Sequence, residues 1–552
     1  MEFSKSHELR QATLDYLETL DPQNPPSPLE ITQQILTVTS DKCREINALK
    51  DKGDAKWPLP LTLSFSQISD ILAKLYPICR LSCAGENADN DYDLLAIYQT
   101  DGPDKGIYVT SEDMFRKLAR QYNYDITKKD FEEMMLALRD KVPRKQRCSD
   151  KDLIAVNNGI FNYATKTLQD FDPDIVFISK SHIDYNPGAQ NITIHNDDDN
   201  TDWDVESWMQ SLSDDPEIVE LLWQILGTII RPNVRWNKSA WLYSEKGNNG
   251  KGTLCELMRA LCGAGSYASI PISAFGQDFM LEPLTRATAI IVDENDVGSF
   301  IDKAANLKAV ITNDVIQINR KFKTPIAYQF FGFMVQCLNE FPRIKDKSDS
   351  FYRRQLFIPM TKCFTGKERK YIKNEYLHNN DVLEYVLYKV LNTNFYTLSE
   401  PQACKEILKE YKEFNDPVRQ YWEEFSSRFV WDLLPPGFLY DLYKAWFKQT
   451  SPSGTVQGKS TFLKDLKNLI ENDPNWIYVE RPTRPKQMLS SLEWLIDEYN
   501  LTDWMNRGYT GSDRSKKIRV VPSATYSRCI LRVAPQTGTA FNSDIEGGEH
   551  DD

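Results

Sequence analysis

A chain of 552 residues, with 41% hydrophobic and 26% charged residues, exceeds what a single hydrophobic core organises, so roughly two to four domains are expected. A net charge of −13 excludes a protein that coats nucleic acid over its whole surface and leaves only a local basic channel or patch for such a partner. Ten scattered cysteines without a Cys-x-x-Cys, together with five dispersed histidines, exclude a legible zinc site or disulfide framework.

The opening "MEFSKSHELRQ" has no signal-like apolar core, and the longest apolar runs, such as "FFGFMVQCL", fall short of the roughly 20 residues that cross a bilayer. A cytoplasmic protein with no membrane partner is therefore expected. The first 90 residues read as helical fragments interrupted by prolines. "LLAIYQT" and "GIYVT", separated by the turn-rich "DGPDK", predict a hairpin, with helices following over about 111–122 and 127–139. The basic "KVPRKQR" reads as an exposed linker, and "LIAVNNGIFNYATKTLQDF" as a second hairpin turning at Asn-Asn-Gly. Asp89 and Asp91, like Asp197 and Asp199, have the Asp-x-Asp spacing of a two-metal polymerase site. Neither pair ends an apolar strand beside another carboxylate, so both read as solvated loops and primase chemistry is not expected. Beyond the acidic "HNDDDNTDWD", helical spacing runs through "ESWMQSLSDDPEIVELLWQILGTII".

From residue 238 to about 360, short apolar strands alternate with helices, the pattern of a parallel sheet covered by helices. Here "SEKGNNGKGT" lies between the strand-like "SAWLYS" and the helix-like "TLCELMRALCG", the context a phosphate-binding loop requires. Two positions depart from G-x-x-x-x-G-K-[ST]: Glu245 replaces the first glycine, and Gly252 stands where a hydroxyl normally reaches magnesium. Backbone N–H groups of Gly247, Asn248, Asn249 and Gly250 can surround phosphate oxygens, and Lys251 adds positive charge at the β and γ positions. Gly252 and Thr253 complete the loop.

About 40 residues downstream, "ATAIIVDEND" is an apolar strand ending in Asp293 and Glu294. Asp293 can hold a hydrated magnesium ion and Glu294 can polarise an attacking water. In "LKAVITNDVIQINRKFKTP", two β-like runs flank Asn313-Asp314, and Arg320, Lys321, Phe322 and Lys323 cluster before a proline. A basic cluster holding an aromatic suits single-stranded nucleic acid threaded through a pore. "FFGFMVQCLNEFP" is another buried strand, ending at Asn339, which is placed to orient water or sense a γ-phosphate. "DSFYRRQLFIP" offers Arg353 and Arg354, one of which can reach a neighbouring subunit's nucleotide as an arginine finger.

A helical "EILKEYKEF" leads into a separate unit with helix candidates "FLYDLYKAWFKQT" and "STFLKDLKNLI", then strand-like "KKIRVVP" and "RCILRV". The acidic "DIEGGEHDD" reads as a disordered tail.

The run "GNNGKGT", "IIVDEND", "LKAVITNDVIQINRKFK", "CLNEFP" and "YRRQLFIP", compressed between residues 247 and 359, resembles superfamily 3 helicases of the AAA+ class. Within them it is similar to the phage and plasmid primase-helicase branch that includes poxvirus-type primase-helicases. The resemblance is strongest over about 152–360, weaker to 535, and leaves the first 130 residues aside. It implies an α/β fold: an AAA+ P-loop NTPase motor, a mixed α/β N-terminal region and helical domain before it, and a winged-helix-like C-terminal domain after it. The expected divisions are an accessory domain at 1–130, a helical collar at 131–235, the motor at 236–395, the winged-helix-like domain at 396–540 and the acidic tail at 541–552.

The resemblance further implies ATP and Mg2+ as cofactors and a homo-oligomeric, hexameric ring translocating 3′ to 5′ on single-stranded DNA. Such a protein acts as a replicative helicase and replication initiator of a bacterial mobile element or phage in the host cytoplasm, with a primase or loader as a further partner. Carried over by residue, Lys251 and Thr253 fall in the phosphate loop, Asp293 and Glu294 at the magnesium and water site, Asn339 at the sensor, and Lys321 and Lys323 in a pore hairpin. Of Arg353 and Arg354, the second is preferred as the finger. Magnesium is held either directly by Thr253 or through water and Asp293. In the C-terminal unit the helix around 460–470 is a candidate recognition helix and "SDRSKKIRVVPSATYSR" a candidate wing, with Arg514, Lys516, Lys517, Arg519 and Arg528 contacting phosphates of double-stranded origin DNA. Two other classes stay open: a nucleotide kinase, since adenylate kinases also carry Gly-Lys-Gly-Thr, and a non-enzymatic origin-binding or scaffold protein with a vestigial motor.

Overall fold

The computed structural model describes residues 4–51, 53–85, 93–296, 300–301, 303–321, 323–450, 456–471, 473–483, 491–518 and 527–533. Asp89, Asp91, Phe322, Arg519 and the expected tail at 541–552 lie outside the described residues. Contacts divide the chain into two units, Met1–Leu408 and Lys409–Asp552.

The first unit opens with the helices Lys5–Glu18, Pro28–Leu49 and Phe65–Leu75. Two of them start at reciprocal caps, Ser27 with Glu30 and Ser64 with Gln67, in which each side chain satisfies a backbone N–H that the helix itself leaves open. The hairpin expected from "LLAIYQT" and "GIYVT" forms between Leu94–Tyr98 and Tyr108–Val109, and helices follow at Glu112–Tyr122 and Lys128–Lys141. The basic stretch after them is not an exposed linker. Arg144–Gln146 pairs in parallel with Ile78–Ser82, while Lys141 holds Asp70 at 2.6 Å and Arg144 holds Asp93 at 2.9 Å. Those two carboxylates are 2% and 1% exposed, and acids so buried require cationic partners, which fixes the stretch in the fold.

The second expected hairpin becomes a three-stranded meander of Leu153–Val156, Gly159–Asn162 and Thr167–Gln169. Asp197 and Asp199 sit at the hairpin joining Ile194–Asn196 to Thr201–Trp203, where Asp199 accepts hydrogen bonds from Thr201 and from Tyr371 Oη at 2.7 Å. The helical stretch beyond splits into Val205–Ser211 and Pro216–Ile229, the second starting at an Asp215 cap followed by proline.

Between Ser239 and Pro359 lie the strands β1 (Ser239–Tyr243), β2 (Tyr267–Ala268), β3 (Ala289–Val292), β4 (Val315–Arg320), β5 (Lys323–Gln329), β6 (Phe333–Leu338) and β7 (Gln355–Pro359), besides a two-residue parallel pair, Phe300–Ile301 with Arg343–Ile344. Five of them form one parallel sheet in the order β2-β3-β6-β1-β7. Every residue of β1, β3, β6 and β7 is buried, as expected of strands covered on both faces. Helix α1 (Lys251–Cys262) packs on this sheet, and one apolar cluster runs from Ile154 through the sheet and α1 to Cys404.

Strands β4 and β5 form a separate antiparallel hairpin with a bulge between Ile318 and Arg320. The run before it, expected to be β-like, is instead the helix Ala305–Ile311. Leu307, Val310 and Ile311 are buried at helical spacing, and one packed face outweighs the β-branched propensity of the segment. Asn313 then turns the chain at φ 54°, its amide donating to the carbonyls of Phe330 and Gly332 and so closing the base of the hairpin.

In the second unit, the helices Pro417–Phe425, Pro436–Thr450 and Lys459–Ile470 share an apolar cluster with a three-stranded sheet ordered Leu433–Leu434, Ser527–Arg532, Trp476–Thr483. Of "KKIRVVP", expected to be strand-like, Lys516 and Lys517 lie in the helical turn Arg514–Lys517, which Asp513 caps by accepting from Ser515 N at 3.0 Å, and residues 519–522 lie outside the described residues.

Candidate nucleotide site

Sheet register brings the carboxyl ends of β1, β3 and β6 side by side, with Tyr243 opposite Leu338 and Val292 opposite Gln336. The residues that follow these strands, namely the loop from Ser244, Asp293 and Asn339, therefore leave one edge of the sheet, where parallel α/β sheets bind ligands. This juxtaposition joins three motifs that are far apart in the chain.

The loop is shaped for close approach. Gly250 caps α1 at φ 86°, and a Cβ there would lie 2.7 Å from Leu212 Cδ2, so both its backbone angle and its packing call for glycine. Asn248 has φ 54°, and the Asn249 amide donates to Lys246 O while its Oδ1 accepts from Lys251 N at 3.3 Å. Gly247 is exposed, Asn249 is buried, and Gly252 and Thr253 are half-buried in the first turn of α1.

Lys251 is 6% exposed, and its Nζ donates to Ser244 O at 3.2 Å, Leu338 O at 3.1 Å and Asn339 Oδ1 at 2.8 Å. Burial lowers its pKa, since none of these acceptors is a carboxylate. A buried ammonium held only by neutral oxygens at a helix N-terminus fits an anionic phosphate.

Asp293 is turned toward α1, where Arg259 grips it at 3.1 and 3.4 Å and also reaches Glu256 at 3.3 Å. Glu294 is exposed, and Asn295 ties the end of β3 to β6 through Gln336 Oε1 at 2.9 Å and Cys337 O at 3.1 Å. Neither Arg259 nor Asn295 was found by motif. Arg259 lies roughly two turns beyond Lys251, so helical spacing alone carried a signal for it. Among the described residues, no group of three or more His, Cys, Asp or Glu side chains forms a metal site. One carboxylate completed by phosphate oxygens and water still suits magnesium, which keeps much of its hydration.

Beside the loop lies a cavity of about 640 Å³ whose walls include Asn248, Gly250, Thr253, Trp208 and Phe364. Thr253 faces this cavity whereas Asp293 does not line it. A second cavity, about 570 Å³, lies between residues 276–281, 303–308 and the hairpin positions Gln317 and Asn319, away from the phosphate loop.

Arg353 is exposed, while Arg354 folds back onto the Ser350 carbonyl and keeps a sealed, unpartnered Nε. On the hairpin, Arg320 donates to Thr324 O at 3.0 and 3.2 Å, Lys321 is exposed, and Lys323 pairs with Glu112 at 2.5 Å. The base of the hairpin is held by Gln329 N donating to Cys83 O at 2.8 Å and by Arg147 donating to Tyr328 Oη at 2.9 Å. In the second unit Arg514 is held by Asp497, Lys516 lies 3.7 Å from Asp513, Lys517 belongs to the same helical turn, and Arg528 is exposed.

These features define a mixed α/β protein with a strand–loop–helix candidate nucleotide site. Three families match parts of the chain: D5 N terminal like over residues 84–219, a family of unknown function (DUF5906) over 242–354, and Poxvirus D5 protein-like over 413–501. The two D5 matches support a D5-type, superfamily 3 helicase-like protein. The match beginning at residue 84 carries the likeness into the region that the sequence reading had set aside.

No curated protein matches the chain. Among solved structures, the apo NrS-1 C terminal region aligns at 13% identity over 75% of this chain and 96% of that one, with a TM-score of 0.41. An A form of the same region aligns at 15% identity over 84% and 99%, with a TM-score of 0.40. JCV Helicase with a bound small molecule aligns at 16% identity over 38% and 58%, with a TM-score of 0.24. Among the described residues no helix is long and apolar enough to cross a membrane.

Proposed function

We propose that the chain is an ATP-dependent DNA helicase that initiates replication, working as a hexameric ring that moves 3′ to 5′ on single-stranded DNA. The observation that carries this reading is the contact between Lys251 Nζ and Asn339 Oδ1 at 2.8 Å, on the sheet edge that Asp293 also leaves. The strand order β2-β3-β6-β1-β7 supports an AAA+ arrangement, because the phosphate-loop strand lies between the strand carrying Asn339 and the last strand. The order of helices and strands in the second unit supports a winged helix, with Lys459–Ile470 as the helix that reads duplex DNA.

When phosphate enters the loop, Lys251 exchanges the carbonyls of Ser244 and Leu338 for phosphate oxygens, and Asn339 stays beside the γ position. Magnesium bound with ATP would neutralise charge on the β and γ phosphates. Asp293, here paired with Arg259, would hold the hydrated ion, and Glu294 would accept the proton of the attacking water. Arg353, the exposed member of its pair, is the proposed finger toward a neighbouring subunit, and Lys321 the proposed strand contact.

Strand displacement on 3′-tailed and 5′-tailed forks, with and without ATP, tests the reading. ATP-dependent opening of one polarity is expected, with Lys251→Ala abolishing both opening and DNA-stimulated hydrolysis. ATP turnover undiminished in Lys251→Ala would remove the phosphate-loop assignment.

A further inference from the structure

Gly252 removes the hydroxyl that a phosphate loop ordinarily presents after its lysine, and the structure places another group beside the gap. Lys373 Nζ lies 3.7 Å from the position a Cβ would take on Gly252. We propose that Lys373 is a phosphate-contacting residue, so that the polyphosphate of a nucleoside triphosphate is held between Lys251 and Lys373 while the adjoining cavity takes the nucleoside. This rests on the phosphate-loop reading above and adds to it a residue outside the motif.

The electrostatics argue for an anion at this place. Lys373 is half-buried, and among the described residues it has no hydrogen-bond or ion-pair partner. It stands over the first turn of α1, where the helix presents its positive end and where Lys251 adds a second cation.

The nearby acids are already engaged: Glu368 accepts from Asn248 Nδ2 at 3.0 Å and from Gly366 N at 2.9 Å, and Asp204 accepts from Asn191 and from Ser207 N. Lys367, Arg369 and Lys370 line the same cavity beside Glu368 and Asp202, the latter held by His195 at 2.7 Å, while Trp208 and Phe364 give it the apolar faces a base requires. The wall is fixed to the loop itself, because Phe364 N donates to Asn248 O at 2.7 Å.

The test is nucleotide binding by the full-length chain, read by displacement of a fluorescent ribose-labelled ATP by ATP and by AMP, with melting temperature as the control for folding. Lys373→Ala should weaken ATP about tenfold, the loss expected for one charge-assisted contact, and leave AMP unchanged. Lys373→Arg should recover most of the ATP affinity, and Lys373→Gln repeats the test should alanine disturb the fold. Equal weakening of ATP and AMP would overturn the proposal. So would unchanged ATP affinity in Lys373→Ala when Lys251→Ala loses it, leaving the phosphate loop standing; ATP binding retained by Lys251→Ala would take both down.

Discussion

Lys251 and Gly250 show how much of the site resides in single residues. Gly250 combines a left-handed backbone with a Cβ position 2.7 Å from Leu212, so Gly250→Ala should cost about 1–3 kcal/mol in thermal unfolding and lower ATP affinity more than it lowers stability. Glu493 illustrates a residue with a structural charge burden. It is fully buried, accepts from Val430 N at 2.7 Å and Trp431 N at 3.1 Å, and leaves Oε1 without a partner. Burial raises its pKa in the folded chain, which therefore retains a proton the unfolded chain releases. Stability consequently falls as pH rises from the ordinary carboxylate range to the raised folded pKa, and Glu493→Gln should flatten that slope in melts from about pH 4 to pH 8 while still accepting both N–H groups.

At the scale of elements, the β4–β5 hairpin is anchored by side chains at its base and along its strands. Its base is closed by Asn313 and clamped by Arg147, and Arg320 bridges the two strands through Thr324 O. Lys321→Ala should therefore abolish strand displacement while leaving assembly, measured by sedimentation, unchanged. The ion pair between Lys323 and Glu112 is 42% and 50% exposed, a setting in which such pairs contribute little, so Glu112→Gln should alter melting by well under about 1 kcal/mol. The buried pairs behave differently: Asp93→Ala leaves Arg144 half-buried without its carboxylate and should cost about 3 kcal/mol in chemical denaturation.

At the scale of the whole molecule, the division at Leu408 separates the nucleotide-site unit from the unit with the candidate duplex-reading helix. A chain ending at Leu408 should hydrolyse ATP and lose sequence-specific duplex binding, measured by ATPase assay and by competition between specific and unrelated duplexes. Retained sequence preference would move recognition into the first unit.

The sequence by itself determined the elements whose side chains carry a period or a cap. The helices near 112–141, the buried strands of the parallel sheet, the loop before α1 and the acidic end of β3 were all legible because their information is local. It failed where two local signals competed: β-branched residues predicted a strand over what is the helix Ala305–Ile311, and exposed-looking lysines and arginines predicted a linker where two buried aspartates hold them. Only the tertiary structure decided that Lys251 touches Asn339, that Arg259 holds Asp293, and that Lys373 stands beside Gly252. Those contacts arise from sheet register and from a wall contributed far along the chain, and neither leaves a mark within any short stretch of sequence.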